Sequence, residues 1–412
     1  MKILLFDLAL GGHHSTYIYY LVRYWCECSL NGQLYLLVSP EFINKYPKIV
    51  QLSQNYPKTF VKFLSITEKE HNTWKNSPNF LKKIFWEWDL YCQYAKQLKI
   101  DHAVLMYLDH LQLPIAIKGN SPCSFSGIYF RPTFHYHTFE NYHPTIKDKF
   151  RAWRQKLLLF YALGHPQLKQ LLCLDPYVVP IINQQSQYSK AIYLADPIEV
   201  KPIDQKALAQ LKEQLNMSEH RKVFLMFGRL DARKGIYQVL DAFESLSPDI
   251  AKQVTLLVIG ELPKSEKDKI LSKIDQITSN SKAEIITNYE FVPEDDVQSY
   301  FQLSDIVLAT YQNHVGMSGI LLQAAVANKP VISSDYGLMG QIAFLNKMGV
   351  VIDTSKLSSI SNTITKIITG ELKLKIDTHK NEKMRENHSY KKYSQTLFEN
   401  NVNHLIDGNY RN

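Results

Sequence analysis

Gly228-Arg229-Leu230-Asp231-Ala232-Arg233-Lys234-Gly235 joins an apolar run, Val223 to Phe227, to an amphipathic one, Ile236-Tyr237-Gln238-Val239-Leu240. That order is a strand, a basic turn and a helix start. Further along, Gly316-Met317-Ser318-Gly319 lies between a buried-strand pattern over residues 305–310 and a small-residue helix, Leu321-Leu322-Gln323-Ala324-Ala325. Fixed cations at one turn and bare backbone N–H groups at a helix N-terminus suit a diphosphate held between them. Both turns fall at the carboxyl ends of strands, where open α/β sheets bind ligands.

Outward from these turns the chain alternates. Strands are predicted at 2–7, 33–38, 103–108, 124–130, 170–174 and 191–194, with helices at 15–28, 80–98 and 146–162 among the intervening segments. A second series of strands is predicted at 223–227, 255–260, 284–292, 305–311, 330–334 and 350–353. Such alternation implies α/β halves, each a doubly wound parallel sheet covered by helices on both faces. The pattern breaks at Asp196-Pro197-Ile198-Glu199-Val200-Lys201-Pro202, which reads as a linker. Two domains are therefore expected, 1–200 and 201–412, the second ending in a helix over 390–406.

Composition is ordinary for a globular protein, with 45% hydrophobic and 21% charged residues. No apolar run approaches the roughly 20 residues of a membrane span. The start, Met1 to Asp7, reads as a buried strand rather than a signal peptide. Five cysteines without a CxxC spacing point to reduced thiols and a cytoplasmic location. Residues 1–200 carry 21 Lys/Arg against 14 Asp/Glu, whereas residues 201–412 carry 26 against 25. The basic excess of the first half suggests an anionic partner there, a membrane surface or a phosphorylated acceptor. Nucleic acid is not expected, because no helix-turn-helix, finger or single-strand-binding signature occurs.

The second half resembles the donor domain of GT-B glycosyltransferases of the retaining, metal-independent family 4 type. Ordered motifs carry the resemblance: Gly228-Arg229 with Lys234-Gly235; Leu257-Val258-Ile259-Gly260-Glu261; Phe291-Val292-Pro293-Glu294-Asp295-Asp296-Val297; and Lys329-Pro330-Val331-Ile332-Ser333-Ser334-Asp335-Tyr336-Gly337. It implies two Rossmann-like domains facing an interdomain cleft, and hexosyl transfer from a nucleotide diphosphate sugar with no cofactor. Polysaccharide biosynthesis is the implied setting, with a glycan, lipid-linked or small-molecule acceptor. Arg229 and Lys234 are the implied catalytic pair, gripping the leaving diphosphate as a fork and a point charge. Gly12, Gly228, Gly260, Phe291, Val292, His314, Gly316, Met317, Ser318, Gly319 and Gln323 are the implied donor-binding positions.

Three departures stand out. The family places glutamates where this chain has Val315 and Gln323, the first on sugar hydroxyls and the second on the ribose; Gln341 replaces a further acidic residue. His314 is a candidate substitute in sugar binding, and Gln323 still offers a neutral carbonyl and amide. The alternative that these departures raise is a catalytically silent homologue that binds nucleotide sugar or glycan as a partner subunit. A sugar-nucleotide epimerase on the same fold finds no supporting carboxylate set.

In the first half, Leu10-Gly11-Gly12-His13-His14 follows the first strand and matches the family's Gly-Gly loop, although a tight turn alone also accounts for the glycines. His13, His14, Asp109, Arg131 and His135 are the acceptor-side candidates. Asp109 is equally well read as a helix N-cap. His135, His137 and His143 lack the spacing of a metal site, so no metal is expected. Residues 146–160 carry five cations against one acid, with Phe150 and Trp153 among them. That pattern suits an anionic bilayer, and equally a helix that packs one face while its Lys and Arg stems snorkel.

Overall fold

In the computed structural model, which describes residues 1–407 apart from Gly12 and Glu140, and only the backbone from residue 400 on, the alternation folds into two parallel sheets. The chain divides into two compact units, one of residues 1–135, 144–197 and 389 onward, the other of residues 136–143 and 198–388. The division after Pro197 falls inside the proline-flanked segment, but the last helix counts with the first unit rather than with the second half of the chain.

The first unit holds β1 (Lys2–Asp7), β2 (Gln33–Val38), β3 (Phe60–Ser65), β4 (His102–Leu105), β5 (Ser124–Tyr129), β6 (Leu168–Cys173) and β7 (Ala191–Tyr193) in the order β3-β2-β1-β4-β5-β6-β7. Its helices include α1 (His14–Glu27), α2 (Glu68–Lys75), α3 (Phe80–Leu98), α4 (Gln112–Lys118) and α5 (Ile146–Leu163). Period-two alternation along β1 sorts its side chains onto the two faces. Leu4 and Phe6 join Trp88 and Tyr91 of α3 and Leu159 of α5, while Ile3 and Leu5 join Ile18, Leu21 and Trp25 of α1. Side-chain caps start the helices where the sequence supplies them. Asn79 accepts from the amides of Leu81 and Lys82, and Thr67–Glu70 and Thr145–Asp148 form capping boxes.

Strand β3 lies outside the sequence expectation. It is the edge strand beyond β2, and its residues are exposed or only half-buried, so the apolar signal of a core strand is missing.

The second unit holds β8 (Lys222–Phe227), β9 (Val254–Ile259), β10 (Glu284–Asn288), β11 (Ile306–Ala309), β12 (Val331–Ser334) and β13 (Gly349–Ile352) in the order β10-β9-β8-β11-β12-β13. Its α6 (Ile236–Glu244) buries Val239, Leu240 and Phe243 against Phe224 and Met226 of β8, and α7 (Gly319–Ala327) follows β11. The terminal helix, α8 (Tyr390–Asp407), lays Tyr393, Leu397 and Phe398 into the core beside α1. Its Tyr390 ring stacks on Tyr20 at 5.3 Å and lies under Arg23, and its Ser394 hydroxyl donates to the Tyr20 carbonyl. Those buried aromatic anchors are why the helix belongs to the first unit.

Gly260 ends β9 with a φ of +126°, and a Cβ there would sit 2.2 Å from the Gly228 carbonyl oxygen. Gly119 also has positive φ, +65°, but open space around it. Alanine at 119 therefore carries only the backbone penalty, about 1–2 kcal/mol. At 260 it adds a backbone clash and costs about 3 kcal/mol or more. Thermal denaturation should rank Gly260→Ala well below Gly119→Ala; equal melting temperatures would contradict this packing.

Candidate functional site

The two turns quoted first meet at one side chain, Tyr311, at the carboxyl end of β11. After β8, Asp231 caps a single 3-10 turn, Ala232–Lys234, by accepting from the Lys234 amide at 3.1 Å. The turn hands over to α6 through Gly235, whose φ of +79° and absent Cβ let it pass the Thr310 carbonyl. Lys234 is folded back and buried, its ammonium donating to the Phe227 carbonyl. The ammonium and the Arg233 guanidinium each lie 5.3 Å from the Tyr311 ring centroid. Across the same ring, the Tyr311 hydroxyl is 2.7 Å from Ser318 Oγ, and the His314 ring packs at 5.0 Å. Ser318 in turn caps α7 by accepting from the Ile320 amide.

Lys234 has no carboxylate within ion-pair distance among the described residues. Asp231 is 3.9 Å from the guanidinium nitrogens of both Arg229 and Arg233 instead. Arg229 is solvent-exposed. Among the described residues, the amides of Gly316, Met317 and Ser318 donate to nothing. Gln323 Oε1, one turn into α7, is buried without a hydrogen-bond partner. A cation with no counterion and the turn that carries the free amides thus meet at Tyr311, with an orphaned acceptor one turn into α7, a combination suited to an anion bearing hydroxyl groups. Sequence reasoning found the two turns but missed Arg233 and Tyr311; the only signal was the position of Tyr311 at the end of the predicted 305–311 strand.

Other expected donor residues are placed differently. Gly260 closes the approach of β9 to β8. Phe291 and Val292 follow β10, with Phe291 exposed, and no hydrogen bond or ring contact joins them to the cationic turn. His314 Nε2 lies 3.3 Å from the Met317 carbonyl, inside the Gly-rich turn. Gly319 opens α7. Gly12 lies outside the described residues.

In the first unit, His13 stacks on Tyr17 and Phe130 with centroids 4.9 and 5.2 Å away, and burial lowers its pKa. His14 Nδ1 is 2.7 Å from Asp7 Oδ2. Arg131 is exposed. His135 is a correction: its side chain is only 1% exposed, with Nε2 2.7 Å from the equally buried Asp175, so it has no surface on which to meet an acceptor. The N-cap reading of Asp109 is also corrected. The N-cap of α4 is Leu111, with no side-chain cap, and the two Asp109 oxygens accept from the amides of Phe130 and Arg131 at 2.8 Å each. Among the described residues, no group of three or more His, Cys, Asp or Glu side chains is arranged to hold a metal ion. No described helix is long and apolar enough to cross a membrane.

Residues 209–390 match the family described as Glycosyl transferases group 1, a span that takes in most of the second unit. The lipopolysaccharide 1,2-N-acetylglucosaminetransferase of Salmonella typhimurium is 27% identical over 130 residues, 31% of this chain and 34% of that one. Curated relatives are matched over 34–61% of their own length. A glycosyltransferase structure from Rickettsia africae is similar with a TM-score of 0.67 at 14% identity, covering 98% of both chains. Anabaena Alr3699/HepE in complex with UDP gives 0.64 at 13% identity, covering 97% of this chain and 99% of that one. At these identities the likeness is one of fold, and the fold is GT-B.

Asp109 offers a test of the first unit's loop geometry. Burial raises its carboxyl to about 6, against the pull of the two amides, from an ordinary 3.8. The folded state therefore holds the proton more tightly than the unfolded chain does. The resulting stability is fully present below pH 3.8 and is lost as pH rises through about 6. Asp109→Asn removes this titration. Melting temperatures taken from pH 4 to 7 should show wild type losing stability with rising pH relative to the variant; parallel profiles would refute the burial.

Proposed function

We propose that this chain transfers a sugar from a nucleotide diphosphate donor to a glycan, lipid-linked or small-molecule acceptor, with retained anomeric configuration and without a metal. The observation that carries the reading is the buried Lys234 ammonium, which faces a carbonyl and an aromatic ring but no carboxylate. In the proposed reaction the bond from the anomeric carbon to the phosphate oxygen breaks and a bond to the acceptor oxygen forms. The acceptor's hydroxyl proton passes to the departing phosphate on the same face. Negative charge grows on the diphosphate as this happens. Lys234 and the free amides of the Gly316–Ser318 turn meet that charge from fixed positions, and the exposed Arg229 swings in to join them; preorganised charge of the first kind usually contributes more to catalysis than any other single effect. UDP is the first nucleotide to test, since HepE is described with it.

Lys234→Met keeps the side chain's bulk and removes its charge. It should fold normally and lower turnover roughly 100-fold or more, as loss of an oxyanion donor does. A folded variant with wild-type nucleotide affinity and turnover would sink the assignment. Nucleotide binding by wild type, with no transfer or hydrolysis across a panel of donors, would instead favour the silent homologue.

The same reading places the protein in the cytoplasm and, for a lipid-linked acceptor, at the inner face of the membrane. Helix α5 supports the second part. It packs Leu159, Ala162 and Leu163 on the sheet, yet Ile146, Phe150, Trp153, Leu157 and Tyr161 form a separate stripe 41–86% exposed. Lys147, Lys149, Arg151, Arg154 and Lys156 flank it. Apolar residues for the acyl boundary and cations for anionic headgroups lie on one helix, each cation worth on the order of 1 kcal/mol. Changing Lys147, Lys149, Arg151 and Arg154 together to glutamine should abolish sedimentation with phosphatidylserine vesicles at low salt and leave nucleotide affinity unchanged. Wild-type protein that ignores such vesicles would end this part of the reading.

A further inference from the structure

The first unit contains a cavity of about 410 Å³ that the donor chemistry does not use. It opens at the carboxyl ends of β1 and β4, the neighbouring strands at which the order β3-β2-β1 reverses to β4-β5-β6-β7. Crevices at such reversals are where open α/β sheets hold ligands, and the volume is that of a small-molecule site. Trp74 of α2, Phe80 and Ile84 of α3, and Tyr107 supply flat apolar wall. The polar lining is Asp7, His14, Lys83, Glu87 and His110.

Both carboxylates are already spent inside the protein. Asp7 accepts from the Ala9 amide and pairs with His14 Nδ1 at 2.7 Å. Glu87 accepts from the Trp74 indole N–H at 2.9 Å and pairs with His110 Nε2 at 2.8 Å. What remains for a ligand is cationic or donating. Nε2 of His14 and Nδ1 of His110 have no hydrogen-bond partner among the described residues. Lys83 lies with its ammonium 3.9 Å from the Trp74 ring centroid and no carboxylate within ion-pair distance among the described residues. Burial lowers the two imidazoles, but the Asp7 and Glu87 carboxylates outweigh it and hold both above the ordinary histidine value. Each carboxylate thus has an imidazole partner within the lining, and Lys83 is left without a carboxylate.

We propose that this cavity binds a sugar ring carrying an acidic substituent, a carboxylate or a phosphate, with the ring against Phe80 and the acid at Lys83, beside Trp74. An aromatic plane takes the C–H face of a pyranose, the imidazoles meet its hydroxyls, and the surplus cation selects for the acid. As the site of the acceptor, the assignment rests on the glycosyl-transfer reading; as a binding site it stands by itself.

Calorimetry on the full chain with methyl β-glucuronide, glucose 6-phosphate, methyl β-glucoside and inorganic phosphate tests it, with UDP titrated separately. At least one acidic sugar should bind about tenfold or more tighter than the neutral glucoside, and which one does identifies carboxylate or phosphate as the acid. Lys83→Gln should erase that preference, bringing acidic and neutral sugars to similar affinity. Binding should also perturb tryptophan fluorescence in wild type and not in Trp74→Phe. Equal affinity for acidic and neutral sugars overturns the proposal, as does a preference that survives Lys83→Gln. Inorganic phosphate binding as well as glucose 6-phosphate, with no gain from a sugar ring, also overturns it. Acidic-sugar binding in a protein that ignores UDP and other nucleotides would uphold the cavity and count against the transfer reading. Normal UDP binding without acidic-sugar binding would do the reverse.

Discussion

Each sheet is wound outward in one direction and then restarted beside its first strand, and that reversal is the constraint on which the chemistry depends. Parallel strands need crossover connections of one hand, so reversing the winding sends the crossing helices to opposite faces. The loops that leave the two strands at the reversal diverge, and a crevice opens between them. In the first unit these strands are β1 and β4, and Asp7, His14, Tyr107 and His110 stand at their ends. In the second they are β8 and β11, followed by the turn that holds Arg229, Arg233 and Lys234 and by the turn that leads into α7. Helices and core residues elsewhere serve mainly to hold these strand ends at fixed depth.

Within the second crevice, the placement of one ammonium decides what can bind. Leaving a charge in a buried setting without a counterion costs several kcal/mol, even after relaxation. The Phe227 carbonyl and the Tyr311 ring offset part of this for Lys234, but neither is an anion. Asp231, the acid nearest in sequence, is turned to other tasks: it caps the 3-10 turn and tempers the two arginines from 3.9 Å. On the proposed reading, Lys234 lacks a counterion in the free protein and a phosphate relieves that deficit. A group whose negative charge increases during reaction relieves it further, which is how a ground-state cost becomes transition-state stabilisation.

Legibility from sequence tracked how local the determining interaction was. Strand and helix positions came through where burial imposes periodicity, as in β1, β8 and α3, whose bounds nearly coincide with the apolar runs. The edge strand β3 did not, because an exposed strand loses the pattern that reveals it. The unit to which α8 belongs was hidden, since Tyr390 and Tyr393 report only that a face is buried, not that α1 lies opposite. Among site residues, the basic and Gly-rich turns were visible as composition. That they share Tyr311 was not, because the meeting is set by strand order rather than by neighbours in the chain. His135 and Asp109 misled for the same reason: their partners, Asp175 and the Phe130 and Arg131 amides, are remote in sequence.

The replacement of two carboxylates by Val315 and Gln323 acquires a physical meaning beside that cation. A glutamate at either place would add a negative charge to the segment that runs from the Gly-rich turn into α7. Val315 contributes backbone instead, its carbonyl accepting from the Leu338 amide. Gln323 keeps a hydrogen-bonding group of the same length but neutral, and its buried, unpartnered oxygen costs about 1–3 kcal/mol until something donates to it. A sugar or ribose hydroxyl can donate, and a phosphate cannot. On the proposed reading the two ends of the ligand are therefore sorted by different forces: charge holds the diphosphate end, and an unmet neutral acceptor holds the hydroxylated end. Such a division makes the grip on the diphosphate sensitive to salt, while discrimination among sugars depends on a few hydrogen bonds that salt leaves nearly unchanged.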